Sequence, residues 1–121
     1  MALSKRQREE IYKKYNGRCA YCGDKIEYKD MQVDHIKPKH LGGRDEMVNY
    51  MPSCRACNFY KSTFSLEEFR KRLENIPKQL EKIFIYKLAK KHFLVHQEQE
   101  HVVFWFEDVE YRRTHPEEDW A

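Results

Sequence analysis

The sequence predicts an α+β fold, and three observations carry that prediction. Two C-x-x-C pairs, Cys19–Cys22 and Cys54–Cys57, bracket a stretch with short strand signals. Apolar residues recur at helical spacing before and after the bracket. Inside it, Met31 and Val33 alternate with polar neighbours ahead of Asp34 and His35.

Taken in order, Ser4-x-x-Gln7 reads as a capping box and Asn16-Gly17 as a helix stop. They frame a first helix over about 5–15, with Ile11, Tyr12 and Tyr15 on one side. The first cysteine knuckle ends in Gly23. Strand signals follow over about 25–35. Pro38 and Gly42-Gly43 break regular structure, so 36–48 is expected to be a long loop of the functional kind. The second knuckle is expected to open a short helix through Asn58 to Lys61.

Ser65-x-x-Glu68 reads as another capping box, followed by Leu66, Phe69 and Leu73 at helical spacing. Pro77 starts a further helix, whose stripe of Leu80, Ile83, Phe84 and Leu88 is expected to pack in the core. Phe93-Leu94-Val95 and Val102–Phe106 read as a C-terminal strand pair joined by the polar stretch Gln97–Glu100. The end, Thr114–Ala121, is acidic and expected to be loose. The organisation expected is a core of residues 1–64 and a helical and strand extension of residues 65–121 packed on it, together one compact domain.

The chain has 121 residues, 36% of them charged and 40% hydrophobic, enough for one domain with a modest core. Its formal charge of +3 hides an asymmetry. Residues 1–95 carry 21 Lys and Arg against 12 Asp and Glu, and residues 96–121 carry 2 against 8. A basic body suits a polyanion, through counterion release. No run is apolar enough to span a membrane. The start, Met1-Ala-Leu-Ser-Lys-Arg, lacks the apolar stretch of a secretory signal, so an intracellular (cytoplasmic), reducing setting is expected.

In that setting paired C-x-x-C units more often hold metal than form disulfides. Two residues between cysteines let both sulfurs of a knuckle reach one ion, and two knuckles complete a tetrahedral thiolate shell. Cys19, Cys22, Cys54 and Cys57 are therefore expected to bind a structural Zn²⁺, with no position left open for catalysis. An iron–sulfur cluster takes the same ligands. A redox pair would need only two of the four.

Between and around the knuckles stand Asp34-His35-Ile36-Lys37-Pro38, Gly42-Gly43, Asn49, Asn58 and Lys61. Together with the cysteines, these residues resemble the HNH endonuclease family, a branch of the ββα-metal or His-Me finger nucleases. The resemblance spans about residues 17–63. It implies a ββα-metal core stapled by the four-cysteine site, and a metal-dependent DNA endonuclease or nickase.

His35 is the candidate general base, since neutral imidazole titrates near working pH. Asp34 offers a hard oxygen to a divalent cation. The resemblance implies that Asn49 orients the histidine and its loop. It also implies that Asn58, in a position where many members have histidine, completes the cation's shell beside Asp34. The pattern is thus His-Asn-Asn. An all-oxygen protein shell favours Mg²⁺ or Mn²⁺.

Plainer roles remain open on the residues alone. His35 suits a core histidine or a supporter of the zinc site, Asp34 a turn cap, and Asn49 and Asn58 helix caps. Lys37, Lys39, Arg44 and Lys61 flank the site and are the expected phosphate contacts, with DNA favoured over RNA. His40 reads as a surface residue or a further phosphate contact, and His92, His96, His101 and His115 form no ligand spacing. Residues 65–121 are a candidate surface for a protein partner or a homodimer, and a zinc-stabilised binding module without useful catalysis is the rival reading.

Overall fold

A computed structural model describes residues 2–117. Its elements run α1 (Lys5–Lys13), β1 (Gln32–His35), β2 (Tyr50–Ser53), α2 (Arg55–Lys61), α3 (Leu66–Glu74), α4 (Ile76–Leu80), α5 (Phe84–Lys91) and α6 (Trp105–Thr114). A mixed fold with a small antiparallel sheet is what the sequence predicted. By contacts the chain forms two units. One gathers residues 2–66 with 103–117, and the other holds residues 67–102.

α1 starts where the capping box places it. The Ser4 hydroxyl accepts from the Gln7 N–H, and the Gln7 side chain accepts from the Ser4 N–H. The helix stops two residues before the expected 15, and Asn16 takes a positive φ of 56°. Ile11 on its inner face joins Met31 and Tyr50 in a buried cluster, with Leu3, Tyr12, Ile26, Val33 and Met47 packed around it. That cluster seats β1 and β2 against α1.

β1 pairs with β2 in antiparallel register, Asp34 opposite Met51 and His35 opposite Tyr50. β2 carried no alternation signal, because all four of its residues are buried and one is Pro52. The connection between the strands is the predicted loop, tightened by two single 3₁₀ turns, Lys39–Leu41 and Met47–Asn49. Gly43 lets it double back. A Cβ there would lie 1.7 Å from the Lys37 carbonyl oxygen, so no side chain fits.

Two expectations are corrected. The predicted C-terminal strand pair is absent: residues 92–104 contain no strand and Trp105–Thr114 is α6. The reason is visible at Tyr15. Its ring meets Phe106 at 6.4 Å, its hydroxyl donates to Glu110 at 2.9 Å, and the Arg113 guanidinium lies 5.9 Å above it. Positions 106, 110 and 113 recur at the helical period, and one partner can meet all three only on a helix. The first N–H groups of α6, which no helix satisfies internally, find carbonyls in the first knuckle. Trp105 donates to Tyr21 and Phe106 to Ala20.

The second correction concerns the stripe after Pro77. The chain breaks at Ile83, which takes an extended conformation, and α4 and α5 replace one helix. Ile83, Phe84 and Leu88 are 47%, 75% and 40% exposed, so they do not form a core. Of the acidic end, residues 118–121 lie outside the described residues.

Phe104, just ahead of α6, is fully buried and meets the Tyr21 ring edge-on at 5.5 Å. Phe104→Ala should lower the unfolding free energy by about 3 kcal/mol or more. Urea unfolding followed by circular dichroism checks this, and an unchanged midpoint would show that α6 is not part of the core.

Candidate functional site

The two knuckles meet because each is closed locally and the sheet brings them together. Gly23, with φ of 82°, ends the first knuckle, and its N–H bonds the Cys19 carbonyl. Cys54 caps α2, its sulfur accepting from the Cys57 N–H at 3.4 Å. All four sulfurs lie within 4.8 Å of one another, with Cys22 and Cys54 at 3.9 Å. A tetrahedral thiolate site with bonds of about 2.3 Å needs sulfur separations of about 3.8 Å. The four cysteines carry no disulfide. They form a metal-binding cluster, and their number, softness and spacing fit zinc.

Proton chemistry shows why a cation belongs there. A hydrogen bond with Cys57 holds the Cys19 thiol down at about 4, against its own burial. Burial, then the neighbouring thiolate charges, push Cys22 up to about 12. The bond to Cys19 pushes Cys57 up as well. The cluster accepts a thiolate readily at Cys19 and resists one at Cys22 and Cys57, and a dication removes that resistance.

Asp34 and His35 both line one open cleft of about 290 Å³, with Pro38, Lys39, His40, Ser62 and Thr63. Neighbours on a regular strand face opposite ways. Here β1 ends at His35 and the chain turns, so both reach the cleft. Asp34 is buried, and its Oδ2 accepts from the Tyr21 hydroxyl at 2.5 Å and from the Lys61 ammonium at 2.9 Å. Burial, then the Asp34 charge beside it, raises the Tyr21 pKa, so that hydroxyl keeps its proton and donates.

His35 packs edge-on against Tyr50, its partner across the sheet, at 5.3 Å. Its Nε2 lies 2.8 Å from Asp45 Oδ1, and Lys39 reaches the other oxygen of Asp45 at 3.0 Å. The hydrogen bonds from His35 and Lys39 hold the Asp45 carboxyl down at about 2. Asp45 is therefore ionised at neutral pH. It accepts the Nε2 proton, and the Nδ1 lone pair is left for other work.

Asn49 lies buried at the foot of the loop. Its amide accepts from the Lys37 N–H and donates to the carbonyls of Lys37 and Arg44, which pins the loop carrying Asp45. Asn58 sits on α2 by a separate opening with Gln32, Arg55 and Phe59. It is not among the residues that line the Asp34–His35 cleft. Lys37, Lys39 and Arg44 are exposed on the loop. Lys61 is not: its side chain is fully enclosed, bound to Asp34 and to the His35 carbonyl. The expectation of a phosphate contact at Lys61 is corrected, because a buried ammonium with two partners faces no solvent.

Sequence reasoning missed Tyr21 and Asp45. Tyr21 stood between two ligands and was passed over as a spacer. Asp45, two residues after Gly43, is the loop carboxylate that folds back on His35, while its neighbour Glu46 pairs with Arg44.

Residues 19–64 match the family model described as HNH endonuclease. Over this stretch the chain is similar to the HNH endonucleases. A prophage-derived protein of Bacillus subtilis (strain 168), YoqL, named as an HNH endonuclease of the SPbeta prophage, is 32% identical over 66 residues. That match covers 46% of this chain and 27% of the relative. The crystal structure of the Type II-C Cas9 enzyme from Actinomyces naeslundii superposes with a TM-score of 0.53 at 26% identity. It covers 60% of this chain and 8% of that one. The chain thus spans about a quarter of the curated relative's length. Among the described residues no helix is long and apolar enough to cross a membrane.

Zinc analysis tests the clamp. The purified protein should carry about one zinc per chain. A strong chelator, or Cys57→Ser, should remove it and with it the helical signal of the first unit. Full zinc content in the Cys57→Ser protein would exclude a four-sulfur site.

Proposed function

We propose that this HNH domain is a metal-dependent endonuclease or nickase that hydrolyses DNA phosphodiester bonds. The observation that carries this reading is the meeting of Asp34 and His35 in one cleft. Both donors to Asp34 among the described residues engage Oδ2, which leaves Oδ1 as the hard oxygen that suits Mg²⁺ or Mn²⁺. Asn58 is the second protein oxygen in this reading. The family resemblance assigns it that role, and Asn58 itself lines the separate opening with Gln32, Arg55 and Phe59. Bound there, the divalent ion supplies charge neutralisation at the phosphoryl and leaving oxygens.

The chain's own residues do the rest. Asp45 keeps the Nε2 proton of His35, so Nδ1 takes the proton of the attacking water. Tyr50 and Asn49 hold the imidazole and its loop, which fixes the line of attack. Lys37, Lys39 and Arg44 hold the phosphates on either side. The products expected are 5′-phosphate and 3′-hydroxyl ends. DNA is favoured over RNA as substrate.

A supercoiled plasmid incubated with Mg²⁺ or Mn²⁺ tests this. His35→Ala should slow nicking by about 10²-fold or more. Equal rates for wild type and His35→Ala would end the catalytic reading. Lys37→Ala and Arg44→Ala should weaken DNA binding at every sequence, each lowering the salt slope by about 1. A slope unchanged in both would remove the loop from the DNA interface.

The rival reading is a zinc-stabilised module that binds nucleic acid or a protein partner with little catalysis. The enclosure of Asp34 by Tyr21 and Lys61 favours it, because a cation must share that carboxylate. DNA binding that survives His35→Ala, without cleavage under any divalent ion, would establish it.

A further inference from the structure

The buried carboxylate at the centre of the site has an uneven environment. Both of its protein partners engage the same oxygen. The Tyr21 hydroxyl, 2.5 Å away, and the Lys61 ammonium, 2.9 Å away, converge on Oδ2. Oδ1 has neither, and Asp34 lines the cleft. The carboxyl plane is thereby fixed by one of its oxygens and offers the other.

The donor that fixes it comes from the zinc clamp. Tyr21 lies between the ligands Cys19 and Cys22, and its own N–H bonds the Cys19 sulfur at 3.4 Å. Its ring is held by Phe104 and Phe106, both edge-on, at 5.5 and 6.2 Å. Its carbonyl accepts from Trp105 at the start of α6. The tyrosine therefore has little freedom: knuckle, aromatic pair and α6 hold it on three sides. Lys61 is held as firmly, with its ammonium also donating to the His35 carbonyl at 3.0 Å.

We infer that Tyr21 is a positioning residue for the divalent-ion site, aiming Asp34 Oδ1 into the cleft, while Lys61 is a built-in cation that the incoming ion must share the carboxylate with. This rests on the reading of Asp34 as a ligand of that ion. Its two parts act in opposite directions on affinity. The hydroxyl bond orders the ligand and so strengthens binding, as outer partners of a ligand commonly do. The ammonium charge repels a dication and weakens binding. The clamp and the cutting site are then mechanically linked through one side chain, so a disturbed knuckle changes the cleft even where DNA contacts are intact.

Mn²⁺ binding to the zinc-loaded full chain, read from the free-ion electron paramagnetic resonance signal without DNA, tests this apart from activity. Tyr21→Phe keeps the ring and should retain zinc, yet bind Mn²⁺ about tenfold more weakly. Lys61→Gln keeps a donor to Oδ2 and should bind Mn²⁺ about fivefold more tightly or better. Asp34→Ala is the control. If it loses Mn²⁺ binding while zinc-loaded Tyr21→Phe binds as wild type does, the inference is overturned. If Asp34→Ala also binds as wild type does, Asp34 is not a ligand, and the reading beneath falls together with the inference. Should Tyr21→Phe lose its zinc, Lys61→Gln decides: tightened binding supports the inference and unchanged binding overturns it.

Discussion

The convergence of four sulfurs within 4.8 Å governs most of what the first unit can do. The two knuckles are separated by more than thirty residues of chain. Holding them together closes a long loop whose entropy cost a small core could hardly offset alone. The core cluster of Ile11, Met31 and Tyr50 is modest, and the two-stranded sheet has little stability by itself. A metal cross-link at this point would tie the first knuckle to the junction of β2 and α2. Without it, the strand that carries Asp34 and His35 would have few long-range anchors.

Inside that frame the polar chemistry is arranged in a chain of contacts. Tyr21 reaches Asp34, Asp34 reaches Lys61, and Lys61 reaches the His35 carbonyl. A fully buried ammonium and carboxylate are costly to desolvate, and the pair is tolerable because each has further hydrogen bonds. Such a pair is weak evidence for stability. Its value lies in fixing where the two charges sit, as a preorganised site requires. The exposed side of the site is built differently. Asp45 links His35 and Lys39 on a loop pinned by Asn49, within reach of solvent.

How much of this was legible in the chain varied by the kind of signal. Short-range patterns were readable: the Ser4–Gln7 cap, the Asn16-Gly17 stop and the second-knuckle helix arise from local hydrogen bonding. The four cysteines and the Asp34-His35 pair were legible because their chemistry demands particular residue types at particular spacings. β2 was not, since a buried strand with a proline shows no period-two pattern. The strand assigned to Val102–Phe106 failed because an apolar run alone does not distinguish strand from helix. The deciding contacts, to Tyr15, Ala20 and Tyr21, lie far away in sequence. Lys61 misled for a related reason, because a lysine beside a motif looks like a phosphate contact until its burial is known. Tyr21 and Asp45 depend on tertiary neighbours that spacing does not encode.

The first unit is written in two instalments, residues 2–66 and 103–117, with residues 67–102 between them. A ribosome releases the knuckle long before it makes α6, so the carbonyls of Ala20 and Tyr21 must wait, hydrated, for their helix. Early in synthesis the aromatic wall behind Tyr21 is missing. The two knuckles can therefore be made before the ring packing that holds Tyr21 exists, and the first unit is complete only once α6 is made.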